Sequence, residues 1–208
     1  MTAKLVLATR NQGKVRELRA LLADQPALAG VDLEAAVVDA SAAGCSEIPE
    51  TGVTFEENSL LKAREVARQT GLPAVADDSG LAVEVLGGAP GIFSARWAGE
   101  HASDESNRRL LLQQLADVPQ EHRGAALVCV ASLVTPSGVE HTAEGRLDGQ
   151  LLSGERGDGG FGYDPILQPV GETRSAAELS MGEKNAISHR GKAFVALAPR
   201  IVEVLAVA

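Results

Sequence analysis

The sequence predicts an α/β fold built on a mixed β-sheet with flanking helices, and three observations carry that prediction. Residues 5–8 form a short apolar run that feeds a polar turn. Val15, Leu18, Leu21 and Leu22 then recur at helical spacing, so the N-terminus reads strand, loop, helix. Strand-like and helix-like stretches continue to intermix along the chain. Residues 125–134 and 139–147, joined through Pro136-Ser137-Gly138, form a long hairpin, which brings antiparallel pairing into the sheet.

Each element has a local reason. Arg16, Glu17 and Arg19 take the outer face of the first helix. Residues 31–38 are expected as a second strand and 39–52, with their Gly, Ser, Pro and Glu, as loop. Thr54 with Glu57 three residues later fits a capping box. The helix it opens carries Leu60, Leu61, Ala63, Val66 and Ala67 and should end at Gly71, before Pro73. Residues 74–76 read as a short apolar strand leading into the polar turn Asp77-Asp78-Ser79-Gly80. Residues 81–86 alternate in part, and 87–91 break the chain. Ser103 or Asp104 caps another helix to about residue 116, residues 154–162 form a glycine-rich loop, and a last helix runs from about 192 to 205 with a kink at Pro199. With 208 residues, the chain is expected to form a single domain over 1–208.

Composition narrows the function. At 45% apolar residues the chain can bury a core, and at 3% aromatics that core must be mostly Ala, Val and Leu. Nineteen Lys and Arg against 28 Asp and Glu give a net charge of −9, which lacks the basic footprint that a nucleic-acid backbone requires. A local cluster of cations still permits a small anionic ligand. Cys45 and Cys129 lie far apart and make no CxxC pair. The apolar run near the N-terminus is too short for a signal-peptide core, and no run reaches the roughly 18–20 apolar residues of a membrane span. A cytoplasmic protein, with no membrane and no nucleic acid among its partners, is expected.

Four clusters can carry chemistry. Gly13 and Lys14, at the start of a helix after a polar loop, make an anion site, although the Walker A pattern is absent. Asp77 and Asp78 at a strand end suggest a magnesium site that Glu47, Glu50, Glu56 or Glu57 could complete, because magnesium keeps most of its waters. Gly157 to Pro165 place Phe161 and Tyr163 inside a glycine-rich loop, where a backbone can approach a ligand and a ring can stack on a base. Residues 183–192 gather basic groups in an acidic chain. His101, His122 and His141 have no metal-ligand spacing. Taken singly, each cluster has a plain structural explanation, as a turn, a cap or a solvated face. Together they describe a nucleoside-triphosphate site.

The sequence also resembles the inosine triphosphate pyrophosphatase family, which acts on non-standard purine nucleotides. The stretches that carry the resemblance are LVLATRNQGKVREL (5–18), TGVTFEENSLLKA (51–63), ADDSGLAVEVLGGAPGIFSARWAG (76–99), GGFGYDPI (159–166) and LSMGEKNAISHRGKA (179–193). They span nearly the whole chain. The resemblance implies two lobes around a central nucleotide cleft, a homodimer, and Mg²⁺-dependent hydrolysis of ITP, dITP and XTP to the monophosphate and pyrophosphate. It implies a phosphate loop at Thr9, Arg10, Asn11, Gln12, Gly13 and Lys14, and a proton-accepting, metal-binding Asp78 with Asp77 beside it. The resemblance further implies that Ser79 contacts substrate and that Phe161, Gly162, Tyr163 and Asp164 lie on the base and sugar side. By the same resemblance Lys184 is expected to bind substrate, and His189 and Arg190 to recognise the base. Glu50 matches the second metal carboxylate, with Glu47 as the alternative. Arg10 stands where the family often has a small residue.

Lysine and arginine only donate hydrogen bonds, so Lys184 or Arg190 can pair with the 6-oxygen of hypoxanthine or xanthine but not with adenine's amino group. Guanine shares that oxygen and must be excluded at position 2. Two rival readings are a Maf-like pyrophosphatase acting on other nucleotides and a sensor that binds without turnover.

Overall fold

A computed structural model describes residues 3–207. β1 (Leu5–Leu7) is wholly buried and runs into α1 (Gln12–Ala23), which turns Val15, Leu18 and Leu22 inward. Residues 31–38 do not form one strand. The Asp32 carboxylate accepts the Ala35 N–H at 3.2 Å and opens a short helical turn, α2 (Leu33–Ala36), so that only β2 (Val37–Asp39) pairs with β1. Ala, Leu and Glu are good helix formers, and an Asp cap is enough to favour the turn.

Thr54 caps α3 (Phe55–Thr70) by accepting the Glu57 N–H at 3.1 Å. The Glu57 carboxylate reaches back to the Val53 N–H at 2.7 Å, one residue earlier than an ideal capping box requires. Gly71 ends the helix in the left-handed conformation, φ +67°. β3 (Ala74–Val83) is far longer than its apolar start, so Asp77 to Gly80 lie within the strand and not in a turn. α4 (Asp104–Gln114) is capped by Ser103, and β4 (Gly124–Val134) and β5 (Glu140–Leu151) flank the expected tight turn, closed by Thr135 N–H to Val139 O at 2.9 Å.

Besides α2, two elements lie in stretches for which the sequence predicts none. β6 (Leu167–Pro169) is three residues long, and α5 (Met181–Ile187) opens on a capping box between Ser180 and Glu183. The last helix, α6 (His189–Val207), begins three residues earlier than its apolar pattern and contains Pro199. The strands form a mixed sheet in the order β2-β1-β3-β4-β5-β6, with β1 parallel to β2 and β3, and β5 antiparallel to β6. Among the described residues no helix is long and apolar enough to cross a membrane, and both cysteines are buried free thiols.

Contacts divide the chain into two compact units. The first comprises residues 1–78, 130–144 and 193–208, and the second 79–129 and 145–192. In the first, Val6, Ala63, Val66, Ala67, Ala74, Ala76 and Val134 pack into a core of small side chains, as the scarcity of aromatics demands. In the second, Leu81, Leu111, Leu115, Leu151, Tyr163, Ile166 and Leu167 do so. There the buried Arg123 guanidinium donates to the carbonyls of Leu115 (2.7 Å), Val118 (2.9 Å) and Leu152 (3.3 Å), placing a satisfied cation at the C-terminal end of α4.

Candidate active site

In the first unit, the loop after β1 is organised by its own polar side chains. The Asn11 carboxamide caps α1 by accepting the Gly13 N–H at 2.8 Å, and the Asn11 N–H reaches the Thr9 hydroxyl at 3.1 Å. Gln12 is tied to the Asp39 carboxylate of β2 at 2.8 Å, while Arg10 is exposed. Lys14, one turn into α1, extends to β3 and donates to both carboxylate oxygens of Asp77, at 2.9 and 2.8 Å.

Neighbouring residues of a strand point to opposite faces, so Asp77 and Asp78 turn to different partners. Asp77 is buried on Lys14. Both of its carboxylate oxygens accept from the Lys14 ammonium. Asp78 instead faces α3, where the Asn58 amide donates to its Oδ2 at 3.1 Å and the Lys62 ammonium lies 3.7 Å from its Oδ1. The same ammonium is 2.5 Å from Glu50. Asn58 and Lys62 are four residues apart, hence on one face of α3. Both stood in the sequence at that spacing, but a lysine and an asparagine between carboxylates are recognisable only once the carboxylates are placed. Glu47 lies exposed, three residues before Glu50.

Two carboxylates that reach one cation are the donor set a magnesium ion needs: hard oxygens, one or two from the protein, with the remaining positions left to water and phosphate. Glu50 and Asp78 therefore fit such an ion. Among the described residues no group of three or more His, Cys, Asp or Glu gathers around one point.

The second unit holds a different constellation. Asp164, almost wholly buried, accepts the Phe161 N–H at 2.8 Å and the Lys184 ammonium on the same oxygen. That ammonium also lies over the Phe161 ring, 4.6 Å from its centroid. Phe161 is 58% exposed. Tyr163 is not: it packs in the core, its hydroxyl donates to the Ser94 carbonyl at 2.8 Å, and burial pushes the phenol's pKa well above its usual value. Of the two aromatic rings in the loop, that of Phe161 is exposed and that of Tyr163 is not.

Gly162 is held at both backbone groups, its N–H by Asp104 at 2.7 Å and its carbonyl by Arg108 at 2.8 Å. α5 presents Lys184 from a firm start. Glu183 is tied to Arg174 and Ser180, which lower its pKa to about 2, so the cap stays charged until strongly acidic pH. Ser79 is half-buried on β3, His189 is buried at the first position of α6, and Arg190 follows it half-buried.

The loop's geometry depends on Gly160, whose φ is +72° and whose missing Cβ would stand 2.2 Å from Asp164 Oδ2. Gly160→Ala is expected to cost at least about 1–2 kcal/mol from the left-handed backbone alone and to push Asp164 off its two partners. A Tm lower by several degrees together with a higher KM for nucleotide, in thermal melts and steady-state assays, is the expected result.

Comparison with known proteins identifies the family of the chain. The Ham1 family model matches residues 5–200. A dITP/XTP pyrophosphatase of Streptomyces coelicolor is 59% identical over 202 residues, covering 97% of this chain and 98% of that protein. Among solved structures, a HAM1 protein from Coxiella burnetii superposes with a TM-score of 0.87 at 39% identity, covering 97% of this chain and all of that one. A structure titled nucleoside-triphosphatase / dITP/XTP pyrophosphatase, from Mycobacterium abscessus, gives 0.79 at 49% identity over 94% and 99% of the two chains. A family match that leaves out only the chain's two ends, joined to relatives similar over nearly their whole length, establishes that this chain belongs to the Ham1 family.

Proposed function

We propose that the protein is a Mg²⁺-dependent nucleoside-triphosphate pyrophosphatase. It takes ITP, dITP and XTP with one water to the monophosphate and pyrophosphate, as a cytoplasmic homodimer that clears deaminated purine nucleotides. The observation that carries the reading is the convergence of Asp78 and Glu50 on one cation, one strand residue away from the Lys14–Asp77 pair. The name that the relatives share supports dITP and XTP as substrates.

In this reading the Thr9–Lys14 loop, with its helix start, receives the phosphates through backbone N–H groups. Lys14, aimed by Asp77, neutralises charge as pyrophosphate departs. Asp78 accepts the proton of the attacking water, its carboxylate oriented by Asn58. Before a metal binds, Lys62 keeps Asp78 and Glu50 facing one another. Glu50 and Asp78 would hold the magnesium ion, which supplies Lewis-acid stabilisation of phosphoryl charge. In the second unit, the Phe161 ring offers a stacking face for the base. Lys184 and Arg190 offer donors for its 6-oxygen, with His189 beside them, and Gly162 and Asp164 shape the loop.

Pyrophosphate release from ITP, dITP, XTP, GTP, ATP and dTTP, with Mg²⁺ and with EDTA, tests the proposal. Turnover confined to the first three and abolished by EDTA is the expected result. Turnover spread over GTP or dTTP would remove the base-side assignment, and binding without release would identify a sensor.

A further inference from the structure

The geometry points to Asn58 as a positioning residue for the reaction, acting through Asp78 and the Glu50 loop at once. This inference rests on the reading of Asp78 and Glu50 as the metal-holding carboxylates. Asn58 is fully buried near the start of α3. Its Nδ2 donates to Asp78 Oδ2 at 3.1 Å, and its Oδ1 accepts the Gly52 N–H at 2.8 Å. Gly52 lies two residues after Glu50, and Asp78 lies in the middle of β3. One rigid, planar group therefore spans the two segments that bring the carboxylates together.

The chemistry leaves no choice of orientation. A backbone N–H only donates and an ionised carboxylate only accepts, so the amide oxygen must face Gly52 and the amide nitrogen Asp78. Of the side chains of this size, only a carboxamide offers a donor and an acceptor side by side. Aspartate would set a second carboxylate against Asp78, and leucine would serve neither partner. The loop comes close enough for this bond because residue 52 is glycine: a Cβ there would stand 2.8 Å from Asn58 Oδ1 and 2.7 Å from Glu57 Cβ. Lys62 reaches the same two carboxylates from one turn further along α3, but as a cation in the place that a bound metal would take. Asn58 is neutral and buried, so it holds the same frame whether the cation present is the lysine or a metal.

The test is a titration of Mn²⁺ into the full-length, nucleotide-free protein, with free Mn²⁺ read by electron paramagnetic resonance, alongside kcat and KM for dITP. Asn58→Ala and Asn58→Leu are expected to bind Mn²⁺ about 10- to 100-fold more weakly, the usual effect of removing a partner that orients a ligand. Their kcat should fall by a similar factor while KM stays within about threefold, since the phosphate and base contacts are untouched. Gly52→Ala attacks the same hydrogen bond from the loop side and should weaken Mn²⁺ in the same direction. It decides the matter alone if the core variants do not fold.

Ser59→Ala is the packing control. Ser59 is equally buried on the same helix and bonds Ser132 and the Ala76 carbonyl, so its loss should lower Tm and leave Mn²⁺ affinity unchanged. Wild-type Mn²⁺ affinity in the folded Asn58 variants and in Gly52→Ala would overturn the inference, as would an equal loss in Ser59→Ala. Asp78→Asn is titrated in parallel. If it binds Mn²⁺ like the wild type, the assignment of the metal carboxylates falls, and the positioning role falls with it. If it binds weakly while the Asn58 and Gly52 variants do not, only the positioning role falls.

Discussion

Asp78→Asn is expected to lower kcat by about 10⁴-fold, with a folded protein and a nearly unchanged Tm. A positioned general base accounts for roughly 10²–10⁴ of rate, and losing one of two carboxylates from a metal site adds to that. Folding should survive because asparagine has the same shape and can still present an oxygen to the Asn58 amide donor, while Lys62 keeps Glu50 as its partner. Single-turnover release of pyrophosphate, measured beside a thermal melt, separates the two effects. Near-normal turnover would remove Asp78 from the chemistry and move attention to Glu50.

Asp164→Ala is expected to raise KM for dITP by at least about tenfold and to lower stability as well. Asp164 accepts the Phe161 N–H and holds the Lys184 ammonium. Alanine leaves that N–H without a partner and lets both the ring and the lysine drift, so the base side loses its stacking face and its donor together. Removing one partner of a buried, charge-assisted bond costs about 2 kcal/mol, which corresponds to a Tm lower by about 4–8 °C in a domain of this size. Asp164→Asn keeps an acceptor for Phe161 and removes only the charge. It should therefore retain most of the stability while still raising KM. If both variants kept the wild-type KM, the second unit's role in binding the base would be disproved.

Much of this was legible in the chain. The strand-loop-helix start with Lys14 where its helix begins, the hairpin and the capped α3 follow from apolar spacing and from cap and turn residues, which are local signals. Asp78 and Lys184 are singled out by the resemblance to the family. Three features were not legible. Asp77 and Asp78 look like a turn because two acids rarely continue a strand, yet β3 continues because each has a cation waiting on its own face. Residues 31–38 are apolar enough for a strand, but the Asp32 cap favours a helical turn over the first half. Lys62 and Asn58 were within a recognised motif, and only the fold brings Asp78 and Glu50 within their reach. α5 is the exception, because its Ser180–Glu183 box is a local signal that could have been read.

Lys14 illustrates what the free protein has already settled before any ligand arrives. An ammonium has three N–H donors, and Asp77 takes two of them, so the third can donate to a phosphate oxygen without the first two letting go. A solvated lysine surrenders on the order of 2 kcal/mol of rotameric freedom when it is fixed. Here that loss is borne when the chain folds and not when the nucleotide binds. The pair is also electrically neutral, so an acidic surface can keep a cation ready for a triphosphate without attracting every longer polyanion in its surroundings.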